Sequence, residues 1–118
     1  MGPDTTAPQE LLYRHAGTTS EGRQFDLKVS NISRYSPSKP EKNGLSGRFG
    51  IVNVDSSSFV RLRFMFVDSE YGEPLVMDQL YFSVFDIDEG QLRGQRTGIE
   101  TVYAAGFSSY VRANDTEL

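Results

Sequence analysis

The tightest constraint on this chain is the period-two alternation in Phe25-Asp26-Leu27-Lys28-Val29-Ser30. It puts Phe25, Leu27 and Val29 on one face and Asp26, Lys28 and Ser30 on the other, which is the pattern of a half-buried β-strand. The same period returns in Phe59–Val67, where Val60, Leu62, Phe64 and Phe66 share a face. The opposite face of that segment begins with Arg61 and Arg63 and ends with Met65 and Val67, so it is expected to be exposed at one end and covered at the other.

Turn chemistry separates these segments. Leu11–His15 is a short first strand candidate, and Gly17-Thr18-Thr19-Ser20-Glu21-Gly22 suits a turn that returns the chain antiparallel. Ser36–Gly44 holds two prolines and a glycine and is expected to be an exposed, mobile loop. Further strands are expected near Arg48–Val54, at Gln79–Asp88, at Ile99–Tyr103 and at Ser109–Arg112, with a polar loop from Glu89 to Gly98. Gln79–Asp88 is the most apolar of these and is expected at the centre of a sheet. No amphipathic helix pattern is present. About six or seven short strands and no substantial helix predict an all-β fold, an antiparallel β-sandwich or jelly-roll-like arrangement.

At 118 residues the chain suits one domain, expected over 11–118 behind a flexible lead-in at 1–10. Eight Phe and six Tyr supply core material. A net charge of -4 with scattered basic residues gives no footprint for nucleic acid. No apolar run is long enough to span a membrane as a helix. Absence of cysteine removes disulfides and thiolate chemistry but leaves the compartment open. Asn31-Ile32-Ser33 and Asn114-Asp115-Thr116 match the N-glycosylation pattern, relevant only on a secretory route.

The candidate chemistry sits at the end of the apolar strand, where Asp86 and Asp88 are two apart and project from one face. Three readings stand open. With Glu89 and Glu100 the pair can offer oxygen ligands to a hard cation such as calcium. It can instead end the strand by accepting backbone N–H bonds or pairing with Arg93 or Arg96. As a catalytic carboxylate pair it lacks a second acid placed across a cleft. His15 is the only histidine, so a Ser-His-Asp triad could form only around it, and no nucleophile-elbow pattern accompanies any serine. No catalytic residue is therefore assigned, and no cofactor other than calcium is suggested. Tyr71, Tyr81, Tyr103 and Tyr110 are candidate ligand-binding residues, because sugar faces stack on exposed rings, although cross-strand packing is the plainer role for aromatics in a β-domain. Gly44, Gly47 and Gly50 fall three apart but open no helix, so they do not form a phosphate cradle.

Arg23–Leu27, Gly47–Val54, Phe64–Asp68 and Phe82–Glu89 together resemble the jelly-roll-like domains of large secreted or surface proteins of bacteria and unicellular algae, in which a phenylalanine-rich strand ends in Asp-apolar-Asp. The resemblance spans about residues 11–118 and rests on short motifs. It implies a non-enzymatic binding or adhesion module, outside the cell or at its surface, recognising a glycan or protein surface. It also implies further strands beyond Leu118, so that a strand-pairing partner chain is expected to close the sheet. The alternative is a structural subunit of a larger complex, for instance in an organelle lumen, docking through open edges and the segments 1–10 and 36–47.

Overall fold

The computed structural model describes residues 9–85, 89–92 and 95–110, with the main chain alone for the strands within 89–99. The chain forms two compact units, Met1–Tyr81 and Phe82–Leu118. Both are built from antiparallel strands, so the expected all-β class is the one observed. The helical content among the described residues is one short 3₁₀ turn, Pro40–Lys42.

In the first unit, β1 (Glu10–Thr18), β2 (Gln24–Asn31), β5 (Leu62–Asp68) and β6 (Pro74–Leu75) form a four-stranded sheet in the order β1-β2-β5-β6. The strand with the clearest alternation, β2, is paired along both sides. Leu11 lies opposite Val29, and Val29 opposite Phe64; Tyr13 lies opposite Leu27, and Leu27 opposite Phe66. Leu11 and Val29 form the buried centre, with Tyr13, Leu27 and Leu62 against them and Tyr35 and Val52 laid over them. Val29 is 1% exposed; burying a side chain of this kind contributes roughly 1.5–3 kcal/mol. On the other face of β5, Arg63 is exposed while Val67 is buried, the graded coverage that its sequence predicts.

β3 (Gly44–Ser46) and β4 (Phe49–Ile51) make a separate hairpin. Ser46 pairs with Phe49, leaving Gly47 and Arg48 as a two-residue loop. Gly47 has φ +60 and Arg48 does not lie at positive φ, as a type II′ turn requires. Gly50 then lets Tyr13 close over the hairpin, because a Cβ there would sit 3.1 Å from the phenol ring. The glycines at 44, 47 and 50 thus serve a hairpin.

Four expectations are corrected. Residues 79–85 carry no strand and are exposed, with Tyr81 at 89% and Phe85 at 67%. Apolar alternation shows that a segment could bury one face, but a ladder needs an adjacent strand to accept it, and the central positions of the sheet belong to β2 and β5. Conversely, the expected loop at 89–98 contains a hairpin, β7 (Glu89–Leu92) with β8 (Gln95–Ile99), with a register shift between Gly90 and Gln91. Its main chain supplies the pairing that its polar side chains do not advertise. The third correction concerns Ser36–Gly44, which is tied down. Lys39 N–H and the Ser38 hydroxyl donate to Asn53 Oδ1 at 2.8 and 2.9 Å, and Asp55 N–H donates to the Ser36 carbonyl at 3.1 Å. The fourth correction concerns the strands expected at Ile99–Tyr103 and Ser109–Arg112: Ile99 ends β8, residues 100–110 carry no strand, and Phe107 meets Tyr110 edge to face at 6.0 Å, while Val111 and Arg112 lie outside the described residues.

Candidate functional site

The densest polar arrangement lies at the end of the four-stranded sheet where β1 turns into β2 and β5 leaves the sheet. Between Tyr13 and Gly17 the register with β2 shifts, so three residues of β1 oppose Asp26 alone. His15 sits within this bulge at φ +53, a conformation that costs a non-glycine residue roughly 1–2 kcal/mol. The bulge turns the His15 N–H toward the Asp26 carboxylate, which accepts it at 2.9 Å. The Ser69 hydroxyl, from the turn after β5, donates to the same oxygen. Asp26 is 5% exposed, although alternation puts it on the polar face. The Ser69 hydroxyl, and after it the His15 N–H, hold its carboxyl below the usual range, against the opposing effect of burial.

Asp68, one strand over and 4% exposed, organises the following turn. Its Oδ1 accepts the main-chain N–H groups of Glu70 and Tyr71, each at 2.9 Å, and its main-chain carbonyl accepts Gly72 N–H at 2.8 Å. Its Oδ2 takes Arg23 Nη2 at 2.6 Å and Nε at 3.2 Å, a two-point charge-assisted bond. The Tyr71 N–H, then the Arg23 guanidinium, then the Glu70 N–H depress its pKa. Two ionised carboxylates thereby clamp three segments: the β1 bulge, the β1–β2 turn and the β5–β6 turn.

A depression of about 520 Å³ opens beside this cluster, edged by His15, Arg23, Glu70 and Tyr71. Ser69, Asp26 and His15 meet here, yet their connections are not those of a catalytic triad. A triad needs the serine hydroxyl on the imidazole and the imidazole on the carboxylate. Here the hydroxyl donates directly to the carboxylate, and histidine reaches that carboxylate through its main chain. Asp26 Oδ1 and both Asp68 oxygens are occupied in holding backbone, hydroxyl and guanidinium, so the arrangement positions loops around a shallow, partly charged surface.

The sequence-predicted ligand-binding tyrosines are exposed: Tyr71 at 70%, Tyr81 at 89%, Tyr103 at 93% and Tyr110 at 74%. Tyr71 borders the depression, and Tyr81 accepts a bond from Gln79 at 3.1 Å through its hydroxyl. Tyr103 and Tyr110 belong to the second unit. Of the proposed calcium ligands, Asp86 and Asp88 lie outside the described residues, Glu89 lies in β7 with its side chain undescribed, and Glu100 is exposed. Among the described residues no group of three His, Asp or Glu is placed to hold a metal. At the first sequon, Asn31 Nδ2, the atom a glycan would occupy, donates to the Ser33 carbonyl at 2.9 Å; Asn114 lies outside the described residues.

Sequence reasoning passed over Asp26 and Asp68. The Asp68 signal was legible, since an aspartate opening Asp68-Ser69-Glu70-Tyr71-Gly72 is suited to an Asx turn. Asp26 gave none, because its partners come from 11 and 43 residues away. Compared with known protein families, curated proteins and solved structures, the chain matches none.

Proposed function

We propose that the chain is a non-enzymatic binding module that engages the surface of another polypeptide, at the cell surface or outside the cell. The observation that carries this reading is the distribution of apolar side chains. Leu11, Phe25, Val29 and Val67 are the buried hydrophobics among the described residues, whereas Leu45 (66%), Phe49 (59%), Phe59 (78%) and Val76 (96%) are open to solvent. Isolated exposed hydrophobics are ordinary, but Phe49 and Ile51 share one face of the β3–β4 hairpin, with Leu45 exposed on the other, an apolar concentration of the kind found at protein contact sites. β1 adds a sheet edge: among the described residues it pairs only with β2, and an edge strand presents main-chain donors and acceptors for strand addition.

That same edge supports the second reading, an assembly subunit in a larger complex such as one in an organelle lumen. A glycan partner is supported by the exposure of Tyr71 and Tyr81, and a calcium requirement by the Asp86-Ile87-Asp88 sequence with Glu89 and Glu100. The extracellular setting rests on the resemblance to secreted and surface jelly-roll-like domains.

The test is panning of the folded chain against a displayed peptide library, with a glycan array in parallel. Peptides that bind the wild type and lose at least about tenfold in affinity, ~1.4 kcal/mol, in Leu12→Lys on the β1 edge or Phe49→Lys on the hairpin would uphold the reading. Binding confined to glycans and removed by Tyr71→Ala or Tyr81→Ala would replace polypeptide by sugar as the partner. A cooperatively folding monomer that retains no peptide and no glycan would overturn both.

A further inference from the structure

We propose that Asn43-Gly44 is a modification site, a deamidation point that the native fold holds shut and that local opening exposes. The chemistry belongs to this dipeptide. The Gly44 amide nitrogen attacks Asn43 Cγ, a C–N bond forms as the Cγ–Nδ2 bond breaks, and ammonia leaves carrying the amide proton. Water then opens the cyclic imide at one carbonyl or the other, giving isoaspartate or aspartate. Glycine leaves the attacking nitrogen unshielded, whereas Asn31 and Asn53 are followed by the branched Ile32 and Val54.

In the folded chain Asn43 is 8% exposed and both ends of its amide are engaged. Nδ2 donates to the Tyr35 hydroxyl at 2.8 Å, and Oδ1 accepts the Asn53 N–H at 2.6 Å. The Tyr35 hydroxyl in turn donates to the Asn53 carbonyl, so Asn43 is one member of a closed ring of bonds joining 35, 43 and 53. For Cγ to swing onto the Gly44 nitrogen, both of these hydrogen bonds must open. The reaction therefore proceeds from the opened state, at a rate proportional to its population. Once formed, either product has lost the Nδ2 donor that meets Tyr35, so the ring cannot close as before. Tyr35 and Val52, which cover Leu11 and Val29, are then released together. The site makes opening of this strap irreversible.

The experiment incubates the full chain in mildly alkaline buffer, native and in urea, alongside Tyr35→Phe. Mass spectrometry follows the exchange of NH₂ for OH at Asn43 and the isoaspartate formed. Native Asn43 is expected to react at least about tenfold more slowly than in the unfolded chain, equivalent to an opening free energy of ~1.4 kcal/mol or more. Tyr35→Phe should accelerate it while Asn31 and Asn53 stay unmodified. Equal rates in native and unfolded chain, or a folded Tyr35→Phe variant with an unchanged rate, would overturn the proposal. If Tyr35→Phe does not fold, the wild type in sub-denaturing urea decides. Deamidation that rises in step with hydrogen exchange at the Asn53 amide upholds gating, and deamidation indifferent to urea refutes it.

Discussion

Replacing Gly17 by alanine tests the tightest backbone approach in the sheet. Gly17 faces Phe25 across β1 and β2, and an alanine Cβ at 17 would lie 2.6 Å from Phe25 Cζ and 3.0 Å from Cε1. Carbon atoms in favourable contact sit about 3.5–4.0 Å apart, so the ring must move by about 1 Å. It has little room, being 6% exposed and set edge-on to Phe66 with centroids 5.5 Å apart at 89°. Overpacking of this kind costs about 1–3 kcal/mol, and the lower chain entropy of alanine returns about 0.5–1 kcal/mol, so a net loss of about 1–2 kcal/mol is expected. Thermal unfolding followed by circular dichroism should show a Tm lower by several degrees, at roughly 4–8 °C per kcal/mol for a unit of this size. Urea unfolding should show a lower midpoint with an unchanged slope. The cause is isolated by repeating the substitution in a Phe25→Leu background, where the shorter side chain does not reach position 17 and the cost of alanine should fall to near zero. Alanine that is neutral or stabilising in the wild type, or equally costly in the Phe25→Leu background, would refute the reasoning.

Acid should loosen the clamp built by Asp26 and Asp68. Both carboxyls have folded-state pKa values below their unfolded ones, so their contribution is complete above about pH 4 and is lost as pH falls through the lower folded values. Asp26→Asn should flatten the acid limb of the stability profile, and an unaltered limb would exclude Asp26 from it. Calcium at 100 times its dissociation constant would add about 2.7 kcal/mol; the proposed site predicts a Tm rise that disappears in Asp86→Asn/Asp88→Asn, and no rise with the wild type would remove calcium from the picture. Exposed aromatics carry little folding energy, so Tyr81→Ala and Tyr103→Ala should each leave stability within about 0.5 kcal/mol, measured by urea titration; a larger loss would mean that these rings are buried against something in solution. Asn53→Ala removes the side-chain acceptor for Lys39 and Ser38, and should speed proteolysis within 36–42 while barely shifting global unfolding; unchanged cleavage would show that those bonds do not hold the loop.

What the residues determined alone is local. Alternation in Phe25–Ser30 and Phe59–Val67 located two strands and showed which residues share a face, because side-chain direction in a strand depends only on parity. It did not decide burial, since β5 begins at Leu62 rather than Phe59, Phe64 is 42% exposed and Val67 on the opposite face is buried. Some glycine positions marked where the chain turns, Gly22 and Gly47 at positive φ among them, whereas Gly17 lies within β1 and faces Phe25. Tertiary structure decided what those rules cannot reach. Whether an apolar run becomes a strand depends on a partner edge, which β2 and β5 gave each other and residues 79–85 did not receive. A buried carboxylate is decided by who arrives beside it: Asp26 reads as a solvent-face residue until the His15 bulge and Ser69 close over it. The Pro-rich segment reads as free until Asn53 and Tyr35 fasten it. Each of these outcomes is a bond between residues distant in sequence, and such bonds form only when the whole fold has already met the entropy cost of bringing them together.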